Sequence, residues 1–193
     1  MRSTVGRMSG RVWRCVDADL FRPRAGVDLK LPRPIFLTVG RLAVEKNLEA
    51  FLALDLPGTK VVVGDGPSRA ALERKFPKAI FVGARRGEAL ANIYSAADVF
   101  VFPSRTDTFG LVLLEALASG LPVAAFPAAA PRDVAGGAPV GCLDEDLRRA
   151  CLEALDLKRQ DCRDFALGMT WAESARIFLE HVDAARVGKR QAA

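Results

Sequence analysis

The sequence has little of the chemistry on which many enzymes depend. Its 193 residues include one histidine, His181, near the C-terminal end, where we expect an exposed side chain. A single histidine so placed excludes a Ser–His–Asp triad. The cysteines form no CxxC pair, so we expect buried free thiols in a reducing cytoplasm and no zinc site. They are Cys15, Cys142, Cys151 and Cys162. No other motif requires a metal ion or a cofactor.

Long apolar runs and phosphate-loop signatures are also missing. No run is long enough to cross a bilayer, and the opening stretch MRSTVGRMSGRVWR has no apolar signal-peptide core. The turn GDGP (64–67) lacks the third glycine of a GxGxxG dinucleotide fingerprint, and no GxxxxGK[ST] motif occurs. These absences favour a cytoplasmic globular protein that is not a P-loop ATPase.

Positive charge is concentrated at one end of the chain. Residues 1–34 contain eight Lys or Arg against three acidic residues, whereas residues 35–193 contain 20 of each, so the net charge of +5 belongs to the N-terminal segment. Few aromatic residues accompany it, which argues against nucleic-acid binding. A loose basic arm over residues 1–24, or one that touches the anionic inner face of a membrane, fits better. We place one domain at 25–186 and a disordered tail at 187–193.

Short apolar segments alternate with helical ones from Pro34 onward. The predicted strands are IFLTV (35–39), KVVV (60–63), AIFV (79–82), DVFVF (98–102), PVAAF (122–126) and PVGCL (139–143). The predicted helices lie at 47–54, 68–76, 87–96 and 111–121, with two or three more to about residue 186. This alternation predicts βαβ crossovers and therefore an α/β, Rossmann-like fold, a doubly wound parallel sheet with helices on both faces.

The loops after the predicted strands are rich in glycine and in cationic residues. In an open parallel sheet, ligands bind in the crevice beyond the carboxyl ends of the strands. Because the body of the chain is neutral, a cationic edge there suits a phosphorylated ligand. Taken alone, the loop GRLAVEKN is better explained as a solvated loop, and GDGP as a plain turn. The residues concerned are Gly40, Gly64, Gly66, Gly83, Gly87 and Gly110, with Arg41, Lys46, Arg85, Arg86 and Arg105.

The segment TDTFGLVLLEALASGLPV (106–123) is the most informative. Glu115 lies inside its apolar helical run, where an unpaired carboxylate costs roughly several kcal/mol, and Asp107 lies eight residues earlier. Gly110 opens the helix, so the first amides can bind phosphate, while both carboxylates can accept bonds from the vicinal hydroxyls of a sugar. The alternative is that Asp107 caps the helix and Glu115 bonds to a backbone amide or an arginine. This segment alone supports both interpretations about equally.

Four segments together resemble a known family. GRLAVEKN (40–47), GDGP, YSAADVFVFPS (94–104) and TDTFGLVLLEALASGLPV follow the order and spacing of the C-terminal half of retaining GT-B glycosyltransferases. This is the large group with a Glu-x7-Glu motif (family-four type), which includes sucrose synthases and bacterial mannosyltransferases. VDADLFRP (16–23) is similar to the segment that begins this half. The resemblance implies the nucleotide-sugar-binding domain of a GT-B fold, with UDP or GDP as the donor nucleotide and no metal requirement.

The resemblance also implies a role for individual residues. Arg41 and Lys46 would hold the donor diphosphate, Glu115 the ribose hydroxyls, and Asp107, which replaces the usual glutamate, the donor hexose. Arg41, Lys46 and Asp107 form the implied catalytic set. The amides of the first helical turn would add to the diphosphate site, and the loop that contains Arg85 would lie along the base. The implied donor-binding residues are Gly40, Arg41, Lys46, Arg85, Asp107, Phe109, Gly110, Leu111, Val112 and Glu115.

The family's N-terminal domain, which binds the acceptor and carries the histidine of the reaction centre, is expected to be absent. Residues 1–24 would then include a remnant of the interdomain linker. We therefore expect a retaining hexosyltransferase domain that is inactive or weak on its own. The alternative is a non-catalytic nucleotide-sugar-binding module, or a subunit completed in trans by a separate acceptor domain. The chain also departs from the family at Cys15, in place of glycine, and at Ala128 and Ala129, in place of Gly-Gly.

The segment WAESARIFLEHV (171–182) predicts an amphipathic C-terminal helix. Trp171, Ala175, Phe178 and Val182 recur at helical spacing, a pattern typical of a buried face. If the partner domain is missing, this face is exposed. We therefore expect self-association or binding of an acceptor-domain protein through this helix.

Overall fold

The computed structural model describes residues 15–107 and 109–169, together with residues 171–172, 175–176 and 179. The strands within them are β1 (Ile35–Val39), β2 (Thr59–Val63), β3 (Ile80–Gly83), β4 (Val99–Phe102), β5 (Val123–Ala125) and β6 (Gly141–Leu143). The α-helices are α1 (Leu48–Leu52), α2 (Arg69–Lys75), α3 (Gly87–Ala96), α4 (Leu111–Ala118), α5 (Ala129–Ala135), α6 (Leu147–Glu153) and α7 (Arg159–Leu167). Two 3-10 turns lie at Val44–Lys46 and Ala154–Asp156. Within this described part, no helix is long and apolar enough to cross a membrane.

The six strands form one parallel sheet in the order β3-β2-β1-β4-β5-β6. From β1 the chain moves outward through β2 and β3. It then returns to place β4 on the other side of β1 and continues outward through β5 and β6. The predicted doubly wound sheet is therefore confirmed. The loops after β1 and β4 leave the sheet where its order reverses, which is the place where such sheets open a ligand crevice.

Helices cover both faces of the sheet, because neighbouring residues of a strand point to opposite sides. Leu37 of β1 packs in a core cluster with α3, α4, α5 and α7. Phe36, next to it, packs in a second cluster with α1, α2 and α6. Burial on both faces explains why inner strands such as β1 and β4 are continuous apolar runs rather than alternating ones.

Helix α4 ends at Ala118, three residues earlier than predicted. Gly120 adopts a left-handed conformation with φ of 74°. Its amide donates to the Leu117 carbonyl at 2.9 Å, and the Leu121 amide donates to the Ala116 carbonyl at 2.8 Å. This pair of bonds is a Schellman ending, which satisfies the last carbonyls and turns the chain directly into β5.

Helix α5 was not predicted from the sequence. It begins at Ala129 and holds Pro131 in its first turn. Proline has no amide hydrogen, but the first amides of a helix have no intrahelical acceptor, so proline is tolerated there. The Ala128–Ala129 pair that replaces Gly-Gly thus lies at the start of a helix.

Residues 15–24 pack onto the domain. The Phe21 side chain is buried, and the Arg163 guanidinium donates to the carbonyls of Phe21 and Ala118, both at 2.8 Å. For residues 15–24 the expectation of a loose arm is therefore wrong, because this part of the segment is fixed to α4 and α7. Residues 1–14 lie outside the described part of the chain.

Several C-terminal predictions concern residues that the structure does not describe. Phe178, His181 and Val182 are among them, as is the tail at 187–193. Trp171 is described and is 69% exposed. An interface through the C-terminal helix therefore stays a prediction.

The cysteines only partly follow the expectation of buried thiols. Cys151 and Cys162 are buried, and burial raises the pKa of each thiol to about 12. Cys15 and Cys142 are only half-buried. No disulfide joins these four residues, all of which lie in the described part of the chain.

Candidate functional site

A cavity of about 210 Å³ opens at the carboxyl ends of β1 and β4, where the strand order reverses. Its walls come from the end of β1 with its following loop and from the loop between β4 and α4. Eight of the ten donor-binding residues implied by the sequence line it, and Arg85 and Glu115 do not. The lining residues are Thr38, Val39, Gly40, Arg41, Lys46, Leu48, Phe102, Pro103, Ser104, Asp107, Phe109, Gly110, Leu111 and Val112.

The GDGP turn supports the first loop of the cavity. The Leu42 amide donates to the Asp65 carbonyl at 2.9 Å. Gly64 packs so closely that a Cβ atom there would lie 1.8 Å from the Gly40 carbonyl oxygen. GDGP therefore fixes the loop that carries Arg41 from behind and does not line the cavity.

Two side-chain contacts join the loops after β1 and β4. The Lys46 ammonium donates to both carboxylate oxygens of Asp107, at 2.7 and 2.6 Å. The Asn47 amide nitrogen donates to the Pro103 carbonyl at 3.2 Å. Asn47 holds a left-handed conformation with φ of 52° between the 3-10 turn and α1. These contacts fix the width of the cavity mouth.

The N-terminus of α4 forms one wall of the cavity. Gly110 is its N-cap residue, with φ of 63°, and the Leu113 amide donates to the Gly110 carbonyl at 2.9 Å. The amides of Leu111 and Val112 precede that first intrahelical bond and are available to an anion. Asp107 pairs with Lys46 instead of capping α4, so the capping alternative is wrong.

Glu115 lies one turn deeper in α4, below the cavity. Its Oε2 atom accepts a hydrogen bond from the Tyr94 hydroxyl of α3 at 2.9 Å. Burial raises the pKa of Glu115, and the bond from Tyr94 opposes that rise. Tyr94 is completely buried, and burial together with the Glu115 charge raises its pKa well above the usual value. Among the described residues, neither a backbone amide nor an arginine donates to the Glu115 carboxylate, so for this part of the chain that alternative is wrong.

Two arginines of the predicted cationic edge lie away from the cavity. The Arg85 side chain donates to the Ala84 carbonyl at 2.9 Å in the exposed loop after β3. The Arg105 guanidinium lies 3.8 Å from the centre of the Phe126 ring and pairs with Glu145 at 2.7 Å. Arg86, the N-cap residue of α3, does not line the cavity either, so the cationic part of the cavity depends on Arg41 and Lys46.

Sequence reasoning missed several residues of the site. Asn47 and Ser104 end two of the motifs quoted above, and Thr38 belongs to β1. Tyr94 could have been noticed as the one tyrosine of the chain, which stands inside an apolar helical pattern. No signal in the sequence paired it with Glu115.

The charged lining of the cavity suits an anionic ligand. Arg41 and Lys46 outnumber Asp107, so the lining has a net positive charge. Over the described part of the chain, no group of three or more His, Cys, Asp or Glu side chains is arranged to hold a metal ion.

Comparison with known proteins gives consistent matches. Residues 33–156 match the family described as "Glycosyl transferases group 1". A GDP-mannose-dependent alpha-mannosyltransferase of Mycobacterium tuberculosis (strain CDC 1551 / Oshkosh) is 37% identical over 92% of this chain and 51% of its own length. The sulfoquinovosyl transferase SQD2 of Arabidopsis thaliana is 38% identical over 64% of this chain and 27% of its own length. The chain thus spans about half the length of the first relative and about a quarter of the second.

Solved structures share the fold. A sucrose-phosphate synthase from Thermosynechococcus elongatus superposes with a TM-score of 0.75 at 25% identity, over 90% of this chain and 52% of that one. The C-terminal domain of a glycosyl transferase group 1 protein (LpcC) from Francisella tularensis superposes with a TM-score of 0.63 at 21% identity. That match covers 79% of this chain and 96% of that domain.

Proposed function

The chain belongs to the glycosyl transferases group 1 family, and from that premise we propose that it binds a nucleotide-diphosphate sugar for retaining transfer of a hexose. The observation that carries the proposal is the composition of one cavity. Two cationic side chains, the first amides of α4 and one carboxylate meet at the point where the strand order of the sheet reverses. A diphosphate sugar carries the complementary groups, which are phosphate oxygens and vicinal hydroxyls.

The diphosphate binds to Arg41, Lys46 and the N-terminus of α4. The planar guanidinium of Arg41 can bind two phosphate oxygens, and the Lys46 ammonium adds a compact charge. The amides of Leu111 and Val112 donate along the helix axis, where the helix dipole favours an anion. These groups neutralise the charge that grows on the diphosphate as the bond to the sugar breaks. They supply enough positive charge for us to propose that binding needs no metal ion.

Asp107 and Glu115 bind hydroxyl groups at the two ends of the donor. Asp107 lies beside the two cationic side chains that bind the diphosphate, and it accepts hydrogen bonds from the hexose hydroxyls. Glu115 lies below the first turn of α4 and accepts from the ribose. The Gly83–Arg85 loop, on the side of β1 away from α4, is proposed to lie along the base.

GDP-mannose is the donor that we propose to test first. The relatives from Mycobacterium tuberculosis, Mycolicibacterium smegmatis and Corynebacterium glutamicum are named as GDP-mannose-dependent alpha-mannosyltransferases, at 36–46% identity. SQD2, by contrast, is named for a sulfoquinovosyl group. A comparison of the affinities for GDP and UDP therefore identifies the nucleotide base that this chain prefers.

The acceptor side of the reaction is proposed to come from a second domain. The relatives are about twice as long as this chain or longer, and the donor as proposed occupies the charged groups of the cavity. We propose that residues corresponding to the other half bind the acceptor, on the same polypeptide or on a partner. The 193-residue chain should then bind donor nucleotide and transfer sugar weakly or not at all.

Calorimetric titration with GDP, UDP and ADP tests the proposal, in EDTA and again in Mg²⁺. Arg41→Ala should lower the affinity for the preferred nucleotide about tenfold or more, because a charged bond to phosphate is lost. Arg74→Ala, an exposed arginine on α2, is the matched control and should bind as the wild type does. Absence of binding by the folded wild type, or an equal loss in the two variants, would overturn the proposal. Efficient transfer from GDP-mannose by this chain alone would contradict the need for a second domain.

A further inference from the structure

The only tyrosine of the chain bonds directly to Glu115, the half-buried carboxylate of the proposed site. Tyr94 is fully buried, with its ring packed edge-to-face against Phe21 and tilted against Phe100, both at 5.7 Å between ring centres. Its hydroxyl lies 2.9 Å from Glu115 Oε2 and 3.5 Å from the Val112 carbonyl. A tyrosine has one O–H to donate, so the bond goes to the nearer and charged acceptor. The ring contacts therefore aim this hydroxyl at Glu115.

The two carboxylate oxygens of Glu115 have different surroundings. Oε2 accepts from Tyr94. Among the described residues, none donates a hydrogen bond to Oε1. As far as the described residues go, Oε1 is therefore the oxygen that remains for a ligand donor.

We propose that Tyr94 is a positioning residue of the nucleotide site, which holds Oε2 of Glu115 so that Oε1 faces the ribose diol. The inference rests on the proposed function, in which Glu115 binds the ribose. Tyr94 itself does not touch the ligand. Its hydroxyl fixes the carboxylate rotamer and favours the ionised form, because a hydrogen bond to a carboxylate stabilises the charge.

Among the described residues around Glu115, Tyr94 is its hydrogen-bonding partner. The strands packed against α4, which are β4 and β5, contain no charged residue. On the packed helices, Glu88 pairs with Arg24, and Arg159 and Arg163 donate to backbone carbonyls. The ionisable side chains of those helices are Glu88, Tyr94, Arg132, Asp133, Arg159, Cys162 and Arg163, with Asp161 and Asp164 on the exposed face of α7. Two effects act on the pKa of Glu115: burial raises it, and the hydrogen bond from Tyr94 lowers it.

The test compares GDP with 2′,3′-dideoxy-GDP on the purified chain, from pH 5 to 8. Tyr94→Phe removes one oxygen and keeps the ring contacts. It should lower the affinity for GDP about three- to tenfold and leave the affinity for the dideoxy analogue unchanged. The GDP-to-analogue affinity ratio should fall as the pH decreases, because protonated Glu115 is a poorer acceptor. In Tyr94→Phe that fall should begin at a higher pH, because a bond that lowers the pKa of Glu115 is lost.

The controls separate this inference from the proposed function. Glu115→Gln should lose most of the preference for GDP over the analogue. Ser119→Ala removes a buried hydroxyl directly after α4, one that has no bonding partner among the described residues, and should behave as the wild type. If the wild type binds neither nucleotide, the proposed function and this inference both fail. If Glu115→Gln loses the preference while Tyr94→Phe keeps the wild-type ratio and pH profile, the inference alone is wrong. If Tyr94→Phe loses affinity for GDP and for the analogue equally, Tyr94 has a merely structural role, and this result also overturns the inference.

A spectroscopic measurement covers the case in which Tyr94→Phe fails to fold. Because the chain has one tyrosine, growth on 3-fluorotyrosine labels Tyr94 alone. The ¹⁹F resonance should titrate with Glu115, and it should shift when GDP is added but not when the dideoxy analogue is added. A resonance that does not respond to pH in the wild type, or that titrates identically in Glu115→Gln, would exclude the coupling.

Discussion

The Lys46 ammonium lies 2.7 and 2.6 Å from the two carboxylate oxygens of Asp107. The resemblance implied that the first group would bind phosphate and the second a hexose, yet here they bind each other. Both side chains are 26% exposed, so the pair is partly shielded from water. A diphosphate that takes Lys46 must therefore compete with Asp107 for the ammonium.

Removal of the Asp107 charge should accordingly strengthen the binding of a nucleotide without a sugar. In Asp107→Asn the ammonium is released and a negative charge beside the phosphates is lost, so we expect the affinity for GDP to rise about threefold. The affinity for GDP-mannose should rise less, because an amide is a weaker hydrogen-bond acceptor for the hexose hydroxyls than the carboxylate of Asp107. Calorimetry measures both ligands. Glu45→Gln removes an exposed carboxylate from the loop after β1 and should change little, and a lower GDP affinity in Asp107→Asn would contradict the competition.

Asn47 should stabilise the folded protein in two ways, through its left-handed backbone conformation and through the hydrogen bond from its side chain to Pro103. Asn47→Ala forces a Cβ-bearing residue without a local hydrogen bond into the left-handed region and loses the bond to Pro103. Its free energy of unfolding should fall by about 2–3 kcal/mol. Asn47→Gly keeps the left-handed conformation and loses only the hydrogen bond, so its free energy of unfolding should fall by about 1 kcal/mol. Urea unfolding at equilibrium gives both values, and equal losses in the two variants would assign the whole effect to the side chain.

Gly64 is expected to tolerate no side chain. A methyl group there would lie 1.8 Å from the Gly40 carbonyl oxygen, so the loop that carries Arg41 must move. Gly64→Ala should lower the free energy of unfolding by more than about 3 kcal/mol and abolish nucleotide binding. Gly137→Ala is the control, since its φ is also positive at 85° but a Cβ atom there meets nothing within 4 Å. That variant should lose about 1–2 kcal/mol from backbone strain and keep nucleotide binding.

Glu115 should destabilise the folded protein at neutral pH. Burial raises its pKa above the ordinary value of 4.5, so the folded state binds this proton more tightly than the unfolded state does. The contribution of Glu115 to stability is therefore greatest below about pH 4.5 and declines as the pH rises through the folded-state pKa. Glu115→Gln should be more stable than the wild type at pH 7, and its advantage should shrink toward pH 4.5.

Thermal and urea unfolding between pH 4 and pH 8 measure that difference. Glu153→Gln, which changes an exposed glutamate at the end of α6, is the matched control and should unfold as the wild type does at pH 7. A Glu115→Gln variant that is less stable than the wild type at pH 7 would show that Glu115 is favourably bonded in the folded state.

The sheet could be predicted from the sequence because the pattern that indicates each strand lies within a short segment of neighbouring residues. The inner strands are apolar runs with few exposed residues, and every predicted strand is present within a few residues of its expected place. Helix α5 was missed because Pro131 reads as a helix breaker unless its position in the first turn is known. The charge of residues 15–24 is visible in the sequence and favours a loose arm, whereas the burial of Phe21 depends on its packing against the rest of the core.

The amino-acid sequence by itself determined the fold class, the family and the loops that meet at the carboxyl edge of the sheet. Periodicity, turn chemistry and motif order are properties of neighbouring residues, so they need no tertiary information. The tertiary structure decided which side chains meet. It paired Lys46 with Asp107 across 61 residues and Tyr94 with Glu115 across 21, and it placed Arg105 against Phe126, away from the cavity. These contacts depend on the strand order and on the packing of α3 against α4, which arise when the whole core is buried at once and not from any one segment.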